Sequence, residues 1–262
     1  MRRFLKMNLI IDIGNTRTKL ALFEKNNLIE KANVAVLTLD ALSDMMKGQN
    51  IEGVIMSVSG QDTEGVEVCL KENYFFIKLN HETPLPIENE YDTPQTLGKD
   101  RLASAVAAHF IFPKKTCLVI DGGTALTFNL LSEKGVFVGG NITAGLTMRL
   151  KALHHFTAKL PLLTQNTEGP NYSETVETEN DLIGKNTNDA ILKGVQLGIL
   201  SEIEGFIHRF REKQNNIQVI LTGGDGLFFK NNLQLDNTTH EPNLVLIGLN
   251  QILNYNLLKK NK

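Results

Sequence analysis

At 262 residues, 42% of them hydrophobic, the chain carries enough apolar material for one large or two medium domains. Its 27 basic and 29 acidic residues leave a net charge of −2, with no Lys or Arg cluster beyond the tail Lys259, Lys260 and Lys262, which argues against a nucleic-acid footprint. Cys69 and Cys117 lie outside any C-x-x-C, which argues against a disulfide framework or zinc site; no apolar run reaches the roughly 18 residues of a membrane span, and the first residues make a poor signal peptide, so a cytoplasmic protein is expected.

In chain order, residues 9–11 are an apolar run that reads as a buried strand, and D-I-G-N-T-R-T follows at once from Asp12. Residues 19–23 and 28–36 read as further strands around a turn at 24–27, followed by a helix over 38–46. Strands at 54–58 and 75–79 flank a helix at 63–73, which gives β-α-β character. G-K-D-R at 98–101 leads into a helix that Pro113 terminates, so the boundary between two lobes, 1–113 and 114–262, falls there.

The second half repeats the first. The apolar run 118–120 is followed by D-G-G-T-A-L-T from Asp121, then by strands at 128–131 and 136–139 and a helix over 145–155. Residues 159–181 have no periodicity and read either as a lid or partner-contacting loop or as passive surface. An amphipathic helix is expected over 187–214, with apolar residues at 191, 192, 195, 199, 200, 203, 206, 207 and 210, and then a strand at 219–221 closed by T-G-G-D at 222–225.

The repeated unit points to chemistry. An Asp at a strand end, a glycine two residues on and a hydroxyl six residues on (Thr18, Thr127) form a turn whose backbone can approach a phosphate closely. One such Asp alone could simply cap a turn; two in matching contexts favour a polyphosphate and its cation. Asp100 could likewise be a helix N-cap. Arg101 is harder to dismiss, because a cation in a first helical turn opposes the helix dipole and suggests an anion to be bound. G-G-N-I-T-A-G at 139–145 offers amides to an anion or allows tight packing. No P-loop, G-x-G-x-x-G, H-E-x-x-H or G-x-S-x-G is present, so nucleotide-binding, zincin and hydrolase readings of those kinds lose their support.

D-I-G-N-T, G-K-D-R, D-G-G-T-A-L-T and G-G-N-I-T-A-G resemble, in order and spacing, the motifs of type III pantothenate kinases, and the resemblance runs from Asn8 to the closing segment 242–253. It implies the actin, sugar kinase and Hsp70 type of α/β fold: two related ribonuclease H-like lobes, each a mixed sheet with a β-meander and flanking helices, with ATP between them. It implies phosphorylation of pantothenate to 4′-phosphopantothenate, the first step of coenzyme A biosynthesis, by a homodimer that needs Mg²⁺ and a monovalent cation, K⁺ or NH₄⁺. Carried over by residue, Asp12, Ile13, Gly14, Asn15, Thr16, Arg17, Thr18 and Lys19 would form the first phosphate loop, with Thr124 also touching ATP. Asp100 would be the proton acceptor; Tyr91, Gly98, Lys99, Arg101 and Thr187 would line the pantothenate site with it, and Asp121 would hold the monovalent cation. The chain departs from the pattern at Lys99, where Ala is usual, and at Ala144, where Pro is usual. Two alternatives stand beside this reading: a non-catalytic regulatory protein on the same scaffold, and another small-molecule kinase of the superfamily.

Overall fold

The apolar runs become the central strands of two sheets in the structure, a computed structural model that describes residues 5–14, 18–59, 63–163, 182–214 and 216–260. Its elements are β1 (Lys6–Ile13), β2 (Thr18–Glu24), β3 (Asn27–Val34), α1 (Leu39–Met46), β4 (Asn50–Val58), α2 (Glu64–Asn73), β5 (Phe75–Lys78), β6 (Glu88–Asn89) and α3 (Lys99–Ile111). They continue with β7 (Cys117–Gly122), β8 (Ala125–Leu131), β9 (Val136–Ala144), α4 (Leu146–His155), α5 (Thr187–Lys213), β10 (Gln218–Gly223), α6 (Gly226–Asn232), β11 (Thr238–His240) and α7 (Leu244–Lys260).

Two compact units result, one of Met1–Pro113, Gly135–Val138 and Asn243–Lys262, the other of Lys114–Lys134 and Gly139–Pro242. This division differs from the contiguous lobes 1–113 and 114–262 in two places, since the start of β9 and the whole of α7 join the first unit. The reason is packing. Helix α7 lies along α3 and against β1 and β4, burying Leu244, Leu246, Leu249, Ile252 and Leu253.

In the first unit the strand order is β3-β2-β1-β4-β5, with β1 between antiparallel β2 and parallel β4. Leu9, Ile11 and Ile13 of β1 join Leu20, Leu22, Val54 and Met56 in a core closed by Leu42 and Met45 of α1 and Leu70 of α2. The two-residue period of a strand sends Asn8, Ile10 and Asp12 to the other face. There the Asn8 Nδ2 donates to Asn250 Oδ1 at 2.8 Å and Asn254 Oδ1 at 2.7 Å, tying β1 to α7. Helices α3 and α7 touch backbone to backbone: a Cβ on Gly248 would stand 1.8 Å from the Ala103 carbonyl oxygen. That contact helps fix where α3, with Asp100 at its start, lies over the sheet.

In the second unit, β11, β10, β7, β8 and β9 follow one another across the sheet. Leu118, Ile120, Leu126, Phe128, Val219 and Leu221 face a core completed by Leu146 and Leu150 of α4 and by Ile191, Leu192, Val195, Ile199 and Ile203 of α5. Helix α5 follows the expected apolar spacing and is capped by Asn186, whose side chain accepts from the Asp189 N–H. Strand β9 continues to Ala144, beyond the expected end at 139, because β-branched Val138, Ile142 and Thr143 favour extended backbone despite the intervening glycines. Of the expected irregular segment 159–181, residues 164–181 lie outside the described residues. No helix among the described residues is long and apolar enough to cross a membrane.

Candidate functional site

In the first unit, Asp12 ends an apolar strand and is 9% exposed. Its register neighbours are Lys19 on β2 and Ser57 on β4, so both share its face of the sheet. Burial pushes the Asp12 carboxyl up from its ordinary 3.8 to about 6; Lys19 opposes this, the negative charge of Asp100 adds to it, and a hydrogen bond with the Ser57 side chain opposes it. The charge of Asp100, 88 positions away in sequence, therefore reaches Asp12.

Asp100 is exposed in the first turn of α3, and the N-cap is Gly98, not Asp100. Its Oδ1 accepts from the Arg101 N–H at 2.8 Å and lies 2.6 Å from where a Cβ on Gly98 would stand, so a side chain at 98 would displace the carboxylate. Lys99 is half-buried beside it. Arg101 is only 5% exposed, with its guanidinium 5.5 Å from the Tyr91 ring centre and 5.9 Å from that of Phe137. Gly98, Lys99, Asp100, Arg101 and Tyr91 thus lie together in the first unit.

Thr18 breaks the expected pattern. It pairs with Ile13, which puts its side chain on the apolar face, fully buried, with no hydrogen-bond partner for its Oγ1. A hydroxyl so placed is turned away from the Asp12 face. Ile13 likewise is wholly buried in the core, so only its backbone could serve a ligand. Gly14 is described at the end of β1, while Asn15, Thr16 and Arg17 lie outside the described residues.

In the second unit, Asp121 pairs with Thr127 across β8 and with Thr222 across β10. Gly223, with φ +86°, closes against it: a Cβ there would stand 2.3 Å from Asp121 Oδ1 and 2.4 Å from the Gly122 carbonyl oxygen. That close approach leaves no room for a side chain at 223, and the Gly122 carbonyl also accepts from the Asp225 N–H at 2.9 Å. Thr124 is exposed, and its carbonyl accepts from the Gly145 N–H at 3.2 Å. Asp225, preceding α6, makes no side-chain cap, and burial pushes its carboxyl to about 6. Thr187 is exposed at the first residue of α5. Among the described residues no group of three or more His, Cys, Asp or Glu side chains is placed to hold a metal by itself.

Sequence reasoning missed Ser57 and Phe137. Ser57 had a signal, a polar residue closing an apolar strand as Asp12 does; Phe137 had none, because a ring over a guanidinium is spelled like any core aromatic.

The family model of the type III pantothenate kinases matches residues 8–209. A type III pantothenate kinase of Bacteroides fragilis is 42% identical over 251 residues, covering 95% of this chain and 98% of that relative. Another, from Cytophaga hutchinsonii, is 40% identical over 257 residues, covering 96% and 100%. Among solved structures, a Campylobacter jejuni protein described as a Baf family transcriptional activator is similar at a TM-score of 0.57 and 23% identity, over 95% of this chain and 99% of that one. Component A of the Acidaminococcus fermentans (R)-2-hydroxyglutaryl-CoA dehydratase follows at 0.53 and 14%, over 98% and 99%. At such identities these structures speak for the fold alone, which is the actin, sugar kinase and Hsp70 type of α/β fold. The family match and the nearly full-length relatives establish that the chain belongs to the type III pantothenate kinase family.

Proposed function

We propose that the chain transfers the γ-phosphoryl group of ATP to the primary hydroxyl of pantothenate, at the entry to coenzyme A biosynthesis, with Asp100 as proton acceptor. The observation that carries this assignment is the coupling of buried Asp12 to exposed Asp100, with Arg101 and Tyr91 beside the latter. Phosphoryl transfer proceeds largely by alignment and charge neutralisation. In this reading Asp100 orients the hydroxyl and takes its proton as the new P–O bond forms and the bond to the β-phosphate oxygen breaks. Arg101, already held near two rings, pairs with the pantothenate carboxylate, and Tyr91, Gly98 and Lys99 line the same substrate's site.

Asp12 would meet the metal and the triphosphate, with Lys19 on the same face adding positive charge, and Ile13 and Gly14 would offer backbone to the phosphates. Mg²⁺ fits this donor set, since it commonly takes one or two carboxylates and fills its remaining positions with water and phosphate oxygens. When bound it would neutralise charge on the transferring phosphoryl group. Thr124 contacts ATP, and Asp121 would hold a monovalent cation, K⁺ or NH₄⁺, whose charge would stand in for the missing P-loop lysine. Assembly as a homodimer is supported by large apolar side chains left exposed on the second unit, Ile142 (60%), Phe156 (81%) and Ile183 (74%). A cytoplasmic location is supported by the two free cysteines.

ADP release from Mg-ATP, with and without pantothenate and in potassium or sodium buffer, tests this reading. Pantothenate-dependent release that requires potassium is expected, and Asp100→Asn lowers turnover by about 10² or more while ATP binding persists. Unchanged turnover in that variant would remove Asp100 from the mechanism. Equal rates in sodium would remove the cation assignment, and ATP binding without turnover would favour a regulatory role.

A further inference from the structure

Arg149 occupies the first turn of α4, where a cation opposes the helix dipole and needs a compensating partner. It has two. Its Nε donates to the Ala144 carbonyl at 2.8 Å, and its Nη2 pairs with the Glu202 carboxylate on α5. The two side chains are only 23% and 22% exposed. Helices α4 and α5 already share an apolar core through Leu146, Leu150, Ile199 and Ile203, so their packing does not depend on this ion pair.

What the pair adds lies on the loop side. Ala144 is followed by Gly145, whose N–H donates to the Thr124 carbonyl at 3.2 Å. Gly145 sits so close that a Cβ there would stand 2.2 Å from the Gly123 carbonyl oxygen and 2.7 Å from that of Thr124. An unbroken line of contacts therefore runs from Glu202 through Arg149 and residues 144–145 to the backbone at 123–124. A guanidinium can serve carbonyl and carboxylate together with its planar fork, whereas an ammonium on a flexible stem holds the two less firmly.

We propose that Arg149, braced by Glu202, is a positioning residue that sets the Gly123–Thr124 loop for nucleotide binding. The proposal rests on the reading that this loop contacts ATP, and its test separates the two. Steady-state kinetics are measured for the parent, Thr124→Ala, Arg149→Met, Arg149→Lys, Glu202→Gln and the double variant Thr124→Ala/Arg149→Met, with Tm for each. Arg149→Met is expected to raise the KM for ATP about tenfold while the KM for pantothenate stays within about twofold. Arg149→Lys restores part of the loss, and Glu202→Gln raises the same KM by a smaller factor. Should Arg149→Met fail to fold, these two milder variants carry the test. In the Thr124→Ala background the effect of Arg149→Met shrinks to about twofold or less, because both act on one loop. A raised KM for ATP in Thr124→Ala, with both Arg149→Met and Glu202→Gln silent, overturns the clamp while keeping the ATP assignment. A silent Thr124→Ala with a raised KM in Arg149→Met removes the Thr124 side chain from the nucleotide site and upholds the clamp through the loop backbone. A lower Tm in the Arg149 and Glu202 variants with an unchanged KM for ATP reduces the pair to a structural tie and overturns the proposal.

Discussion

The two copies of the Asp-containing turn share their spelling and differ in their pleat. In the first, Ile13 pairs with Thr18 and four residues intervene; in the second, Gly122 pairs with Leu126 and three intervene. A difference of one residue in a two-residue period reverses the face on which everything after the turn points. Lys19 thus comes to lie beside Asp12 and Thr18 goes into the core, whereas Thr127 lies beside Asp121. One copy therefore surrounds its carboxylate with an ammonium and a serine hydroxyl, the other with a threonine and a close-packed glycine. A repeat in sequence is not a repeat in chemistry when the turn length changes.

The strongest way to break this comparison is Asp12→Asn. Turnover is expected to fall by about 10² or more, because a charge aimed at the phosphates is lost. Stability should move the other way. A carboxyl raised from 3.8 to about 6 is penalised in the folded state once it ionises, so the penalty is absent below pH 3.8, grows as pH rises, and is complete above pH 6. At about 1.4 kcal/mol per pKa unit, the ligand-free variant gains at most about 3 kcal/mol at neutral pH. Thermal melts at pH 7.5 should show a Tm several degrees above the parent, and melts near pH 4 should show little difference. A lower Tm at neutral pH would mean that Lys19 and Ser57 outweigh burial.

A smaller effect is expected from Thr127→Val. Its Oγ1 accepts from Asn129 Nδ2 at 3.0 Å, and losing that bond beside Asp121 should lower stability by about 1 kcal/mol. Turnover should fall several-fold, which steady-state assays with a denaturant titration would read together.

The smallest effect sharpens the contrast. Thr18→Val replaces a buried hydroxyl that lacks a partner by a methyl group of similar size, so stability should hold or rise by up to about 1 kcal/mol. Activity should remain within about twofold of the parent. A tenfold loss would return Thr18 to the phosphate loop and undo the distinction drawn between the two turns.

Much of this protein could be read from the order of its residues. Apolar runs of a few residues, 9–11 and 118–120, each followed by Asp and glycine, marked β1 and β7, because a strand covered on both faces is apolar through its centre. The spacing of apolar residues from 191 to 210 marked α5, and Pro113 marked the end of the first long segment. Asp100 and Arg101 stood out locally for their place in a first helical turn.

Tertiary structure decided the rest. That α7 returns to the first unit depends on a backbone contact at Gly248 that no local pattern announces. The raised pKa of Asp12 arises from burial and from Asp100, and neither is a property of neighbouring residues in the chain. Which face Thr18 takes was settled by strand register, and the line from Glu202 to Thr124 by two helices packing side by side. Local sequence set where backbone could be extended or helical, because those preferences act over a few residues. Only the folded chain set which charges meet, because electrostatic and packing forces act through space without regard to sequence distance.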